Sequence, residues 1–140
     1  MGNRSVTVAC VLIVGAASVA GCAQVQTLPR KPAQLTIDGA TRTTPPAACS
    51  QDQSYRTLDI RDHDGRVEAV VLLSGYRVIP QWVKIRNVDG FTGSFWQGGV
   101  GDAHADINNN AYTISGSAYG INTSNPDKVI TTDFKIAAGC

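Results

Sequence analysis

The chain is short of charge. Only 16 % of its 140 residues are Asp, Glu, Lys or Arg, and 12 basic residues face 11 acidic ones. No excess of either sign exists to form an electrostatic footprint for nucleic acid. The length supports one domain and not two, while 43 % hydrophobic residues exclude wholesale disorder. Histidine is scarce, with His63 and His104 alone. No Gly-x-Ser-x-Gly elbow is present, and Gly98-Gly99-Val100-Gly101 lacks the lysine and the strand-to-helix setting of a phosphate loop. Beyond Cys22 no stretch carries apolar residues at a helical period. The apolar run from Val6 to Val19 is shorter than the ~20 residues that a membrane-spanning helix needs.

That run has a different meaning. Met1-Gly2-Asn3-Arg4 is a short basic leader, the run itself is uncharged, and small residues follow at Ala20 and Gly21. This is the layout of a secretory signal. Val19-Ala20-Gly21-Cys22 has the form of a bacterial lipobox, in which the Cys22 thiol becomes a thioether to diacylglycerol and cleavage leaves it as the new N-terminus. An ordinary signal with a chance cysteine is the plainer alternative. Residues 1–21 are then a cleaved signal, 22–34 a lipidated N-terminus and tether, and 35–140 a β domain. Two or more acyl chains give stable anchoring where one does not, so the mature protein is expected on the outer face of the membrane without spanning it. Removal of Arg4 leaves 11 basic against 11 acidic residues, so attraction to anionic headgroups is not expected to carry the anchoring.

Cysteine usage then simplifies. Cys10 leaves with the signal and Cys22 takes the lipid, which leaves Cys49 and Cys140. In the oxidising environment of an exported chain these two are expected to pair, closing nearly the whole domain. Two free thiols or a metal pair are the alternatives, and the lack of a nearby histidine cluster weighs against zinc.

From Leu35 onward the pattern is β. Leu58 and Ile60 share a face, as do Val67, Ala69, Val71 and Leu73. Val83 and Ile85 oppose Trp82, Lys84 and Arg86; Ala103, Ala105 and Ile107 oppose Asp102, His104 and Asp106. Tyr112, Ile114, Gly116 and Ala118 align, and so do Phe134 and Ile136. Period two means half-buried strands, expected near 35–38, 54–61, 66–73, 82–88, 91–96, 102–107, 111–119 and 129–137. Asp38-Gly39, Asp64-Gly65 and Asp89-Gly90 are hairpin signals, because a type I′ turn needs positive φ at both central residues. The expected fold is all-β: a single antiparallel sandwich or partly closed barrel of seven to eight strands.

These segments carry a likeness. Leu35-Thr36-Ile37-Asp38-Gly39, the early Cys49, Val88-Asp89-Gly90, the run Tyr112 to Ile121, Asn125-Pro126, Phe134-Lys135-Ile136 and the terminal Cys140, with the lipobox at Cys22, resemble the mycobacterial LpqH-type (LpqH/LppE) lipoprotein antigen family. The resemblance covers nearly all of residues 22–140. It implies an exported, diacylated, membrane-attached surface antigen, without enzymatic activity, whose lipid can be sensed by the innate receptor TLR2. Some members carry glycans on a Ser/Thr-rich linker. Here Ala23–Gln34 holds only Thr27, with Thr41, Thr43 and Thr44 as a displaced acceptor cluster. No cofactor is implied beyond the covalent diacylglycerol and N-acyl chain on Cys22.

Other chemistry reads weakly. Asp102, His104 and Asp106 on one strand face have the residue types of a metal site, but a solvated polar face explains them. Asp62-His63-Asp64-Gly65 fails as a calcium loop, because the positions that should supply the outer ligands are Ile60 and Val71. Asn122-Thr123-Ser124 fits an N-glycosylation pattern that a bacterial lipoprotein leaves idle. The open feature is an aromatic and basic face: Trp82, Lys84 and Arg86, with Tyr76-Arg77 before them. On the next run Phe91 and Phe95 share one face and Trp96 takes the other. Such a face can grip an anionic glycolipid or a glycan. Two functions follow: a surface antigen acting through its lipid on a host receptor, or a carrier or sensor of an envelope lipid or glycan. A cavity lined by Val71, Leu73, Ile85 and Ile114 would favour the second, and a dense core the first.

Overall fold

The structure, a computed structural model, describes residues 29–140. It is all-β and antiparallel, as the alternation implies, with ten strands where the pattern gives seven or eight. In chain order they are β1 Ala33–Ile37, β2 Ala40–Thr44, β3 Ala48–Asp52, β4 Tyr55–Asp62, β5 Gly65–Ser74, β6 Arg77–Val88, β7 Phe91–Trp96, β8 Asp102–Asn108, β9 Ala111–Asn122 and β10 Asn125–Gly139. β1 begins at Ala33, so the last two residues expected in the tether belong to the sheet.

The two strands invisible to alternation are β2 and β3, the outer strands of a sheet ordered β2-β1-β10-β9-β7-β6-β5-β4-β3. Their sequences, Ala-Thr-Arg-Thr-Thr and Ala-Cys-Ser-Gln-Asp, are mostly polar and exposed. An edge strand has few neighbours and little to bury, so it carries no period-two apolar signal.

The sheet folds over so that its edges approach. Only Pro45, Pro46 and Ala47 connect β2 to β3, and four Cα steps span at most about 15 Å. No ladder joins the two edges, so the sheet stops short of a closed barrel. Arg42 on β2 reaches across, donating to Asp62 at 3.3 Å and to Asp89 at 2.6 Å. The hydrogen bond from Arg42 to Asp89 raises the guanidinium pKa above its ordinary value, with Asp62 adding to the effect. The second tie is the Cys49–Cys140 disulfide, with Cα atoms 5.8 Å apart. It joins edge strand β3 to the end of β10.

Inside, the faces read from sequence form the core, except on β8, where only Ala105 is buried and Ile107, near the strand's end, is exposed. Leu58, Ile60, Val67, Ala69, Val71, Val83, Ile85, Tyr112, Ile114, Ala118, Phe134 and Ile136 are buried, together with Leu35, Phe91 and Phe95. Leu73 packs against this cluster. Val71, Ile85 and Ile114 therefore fill the core, and a ligand reading moves to the outside of the sheet.

Two of the three Asp-Gly pairs make the expected turns: φ is +49° and +78° at Asp38-Gly39, and +54° and +77° at Asp89-Gly90. The third pair, Asp64-Gly65, does not. Asp62 pairs with Gly65, so the turn is His63-Asp64 and Gly65 is the first residue of β5. Gly65 is needed for close approach instead, since a Cβ there would lie 2.6 Å from the Asn87 carbonyl oxygen.

β9 is shared. Its first half pairs with β8 (Asn108 with Ala111 through Asp102 with Ser117), and its second half with β7 (Ser94 with Tyr119 through Phe91 with Asn122). The chain between β7 and β8 loops out at residues 97–101. Below that loop the Arg77–Pro80 part of β6 and β8 run side by side without a ladder, which leaves a seam.

Candidate functional site

Register assembles the aromatic–basic face. On β6, Val83 and Ile85 point into the core, so Trp82, Lys84 and Arg86 point out. On β7, Phe91 and Phe95 point in and Trp96 points out. The β6–β7 ladder sets Trp82 opposite Trp96 and Lys84 opposite Ser94. The two indoles stack with centroids 6.0 Å apart and planes inclined by 26°. Lys84 Nζ lies 4.6 Å from the Trp82 ring centroid and 5.6 Å from that of Trp96. A cation over two rings is held by their quadrupoles. Trp82 also covers Val70, the residue opposite it on β5, and Val70 is buried although it faces outward.

The face extends further than sequence reasoning reached. Ser94 lies beside Tyr119 on β9, and Thr92 beside Ile121, which in turn faces Val129 on β10. Tyr119, Ile121 and Val129 are exposed large apolar side chains on the same outer face as Trp96. Their signal was in the sequence: each stands at a position where the alternation calls for a polar residue. Which strands lie beside β6 and β7 is what period two does not contain.

One member of the expected face is carried away. Tyr76 is not with Trp82 and Lys84. It sits at the tip of the β5–β6 hairpin, fully exposed, at the mouth of the seam between β6 and β8. Arg86 is exposed and lies opposite Arg66. Arg66 is itself engaged, forking onto both carboxylate oxygens of Asp59 at 2.8 and 2.9 Å, and that bond raises its pKa. The anionic-ligand face is thus Lys84 over two indoles, with exposed Arg86 two residues further along β6 and an apolar extension.

That pair has a structural role that can be measured. Replacing Trp96 by Ala should lower stability by about 1 kcal/mol through lost stacking, beyond the area it covers. Urea titration of Trp96→Ala, Trp82→Ala and the double variant checks it. Additive losses would show that the rings do not cooperate.

The polar clusters do not converge. His104 Nε2 and Asp106 Oδ2 are 3.0 Å apart, both well exposed on β8. His63 is in the β4–β5 turn. Among the described residues no three His, Cys, Asp or Glu side chains gather into a metal-binding group. Asn122 closes a local turn, its Oδ1 accepting from the Ser124 N–H and hydroxyl at 3.0 and 2.8 Å. Of the displaced threonines, Thr41 and Thr43 are exposed, while Thr44 is buried and its hydroxyl donates to the Pro45 carbonyl at 3.0 Å. Val19, Ala20, Gly21 and Cys22, expected to form a lipobox, lie outside the described residues. Within them no helix is long and apolar enough to cross a membrane.

Comparison with known proteins fits this disulfide-closed sheet. The sequence model of the Mycobacterium 19 kDa lipoprotein antigen matches residues 26–140. The chain belongs to that family. It is 65 % identical, over the full length of both chains, to the probable lipoprotein LppE of Mycobacterium tuberculosis. A putative lipoprotein of Mycobacterium indicus pranii is 34 % identical, again over the full length of both. The lipoprotein LpqH of Mycobacterium avium is 36 % identical over 73 residues, about half of each chain. The protein is therefore a cell-envelope lipoprotein of the 19 kDa antigen family. The family match begins at residue 26 and spans all ten strands.

Proposed function

We propose that the protein is a membrane-anchored, non-enzymatic surface antigen. Residues 1–21 are removed, Cys22 carries diacylglycerol and an N-acyl chain, and the acylated N-terminus is sensed by host innate receptors of the TLR2 type. The observation that carries this reading is Val19-Ala20-Gly21-Cys22 at the end of an uncharged apolar run, in a chain of a lipoprotein antigen family. The packed, disulfide-closed domain supports it, because such a domain suits an exported chain. The test is Cys22→Ser in a mycobacterial host. Mass spectrometry should show the acyl mass on the parent and none on the variant. The variant should leave the membrane fraction, and the response of TLR2 reporter cells should fall at least about a hundredfold, the loss of two or more acyl chains being worth far more than the ~2.7 kcal/mol this requires. An unchanged response would end the receptor half of the reading; an unacylated parent would end all of it.

A second reading, a carrier or sensor of an envelope glycolipid or glycan, is favoured by one observation. Lys84 over the stacked Trp82 and Trp96, continued by Tyr119, Ile121 and Val129, is the kind of surface that stacks on sugar rings. Mass spectrometry of the protein, gently ionised and again after organic extraction, would reveal a stoichiometric non-covalent ligand if this reading is right. Retention of that ligand by Trp96→Ala would sink this face as its site.

A further inference from the structure

Two surface grooves flank the β8–β9 hairpin. The first, about 360 Å³, follows the seam from Tyr76 along β6 and is closed on its far side by Ala103–Ile107 of β8. The second, about 670 Å³ and mostly apolar, lies between Pro29–Pro32 and the ends of β9 and β10, with Asn109 and Asn110 at its border. Arg30 holds the root of the tether there by donating to the Ala47 carbonyl at 3.3 Å. β8 runs antiparallel to β6, because β7 and β8 are both antiparallel to β9 and β6 is antiparallel to β7. The Ile107 end of β8 therefore lies beside the start of β6 and the Tyr76 tip. Leu73 donates its N–H to the Ser54 carbonyl at 2.7 Å, which brings Tyr55 to the same end.

This end of the domain is thus where the tether leaves and where three large side chains are left uncovered. Tyr76 is 105 % exposed, Tyr55 45 % and Ile107 39 %. The His63-Asp64 and Asp89-Gly90 turns are at the other ends of β4 and β6. A tyrosine wholly outside a hairpin tip buries nothing in its own fold.

We propose that this end is a membrane-apposed face, seated on the lipid surface to which Cys22 is anchored, with the Tyr76 ring at headgroup level. The proposal rests on the acylation of Cys22. Seven Cα steps separate Cys22 from Pro29, so this end of the domain is held within about 25 Å of the bilayer. At that range the contact is intramolecular, and a weak interaction is populated by effective concentration alone. Tyrosine is the side chain that suits the site, apolar in body and polar at its tip, and it concentrates at membrane–water interfaces. Charge agrees: Arg30, Lys31, Arg56 and Arg77 belong to this end, against Asp52 and Asp106, and Asp106 is paired with His104. Once this end is seated, basic side chains within a Debye length of an anionic leaflet, about 8 Å at physiological salt, are attracted to it.

The test uses the full acylated protein in phosphatidylglycerol-containing nanodiscs doped with a nitroxide-headgroup lipid, read by amide relaxation. The amides of Gly75–Arg77 and Ile107–Asn110 should relax at least about fivefold faster than those of His63-Asp64 and Asp89-Gly90. Tyr76→Ser, at an exposed turn where folding is unaffected, should cut that contrast at least threefold while the protein stays anchored. With acyl groups verified on Cys22, uniform or absent enhancement means a domain that tumbles freely on its tether and overturns the proposal. Enhancement centred on Tyr119, Ile121 and Val129 overturns it in favour of the sheet face. Absence of acyl mass on Cys22 overturns the anchoring reading, and this proposal falls with it.

Discussion

Removal of the Cys49–Cys140 bridge, by reduction or by the pair Cys49→Ala and Cys140→Ala, is expected to lower the stability of the domain by about 4–5 kcal/mol. The bridge spans 91 positions. A loop that long removes much of the freedom of the unfolded chain, which is where the chain-entropy account places the effect. In urea the midpoint should fall by roughly 2–4 M at the slopes usual for small domains. The folded form should keep its β circular dichroism, because the β9–β10 ladder runs on to Gly139 opposite Ala111, and Cys140 still donates its N–H to the Asn110 carbonyl at 2.9 Å. Hydrogen exchange should report the local consequence. β3 is an edge strand whose one half-buried residue is Cys49, so Ala48–Asp52 should lose protection first. A midpoint that moves by less than about 0.5 M would refute the account, since the slopes of small domains convert 4–5 kcal/mol into far more.

Gly116→Ala is expected to destabilise the domain by about 2–3 kcal/mol, although it adds one methyl group to the core face of a strand. Gly116 lies between Ala103 on β8 and Phe134 on β10. A Cβ on it would run into the Asp102 carbonyl oxygen and the Ala103 backbone. Backbone cannot swing aside as a side chain can, so β8 would have to part from β9. Gly139→Ala is the control within the same protein, because a Cβ there meets nothing within 4 Å. Its effect should stay within about 0.5 kcal/mol. Comparable midpoints for the two variants in urea would mean that β8 yields easily, and that the close approach is not what holds the two strands together.

The two sites show how far residues speak for themselves. Gly116 was recognisable as a core-face position, since it falls in register with Tyr112, Ile114 and Ala118. That it must be glycine depends on a neighbour fourteen residues earlier in the chain. Cys49 and Cys140 were recognisable as partners because the other cysteines had been assigned to the signal and the lipid. That the bond ties the loose edge strand to the C-terminus depended on β3 being an edge at all. The aromatic face divided in the same way. Trp82 and Lys84 were placed outward by Val83 and Ile85, but Trp96, Tyr119 and Val129 joined them only through pairing, and Tyr76 was carried away by the hairpin.

Local rules govern the features that are legible along the chain. Alternation assigns the inward and outward sides of a strand because side chains project with period two. Asp-Gly marks a turn because positive φ costs least there; Gly65 departs from this and instead lies close to the Asn87 carbonyl on the neighbouring strand β6. Membership of the 19 kDa lipoprotein antigen family follows from short segments such as Leu35–Gly39 and Phe134–Ile136 taken in order. Strand order, the two polar edges, the changeover from β8 to β7 along β9, and the placing of Pro29–Pro32 and Tyr76 at one end of the domain are set by the tertiary structure. These depend on which strands find each other after chain separations of tens of residues. That choice is made by burying one common core, and no short window of sequence contains it.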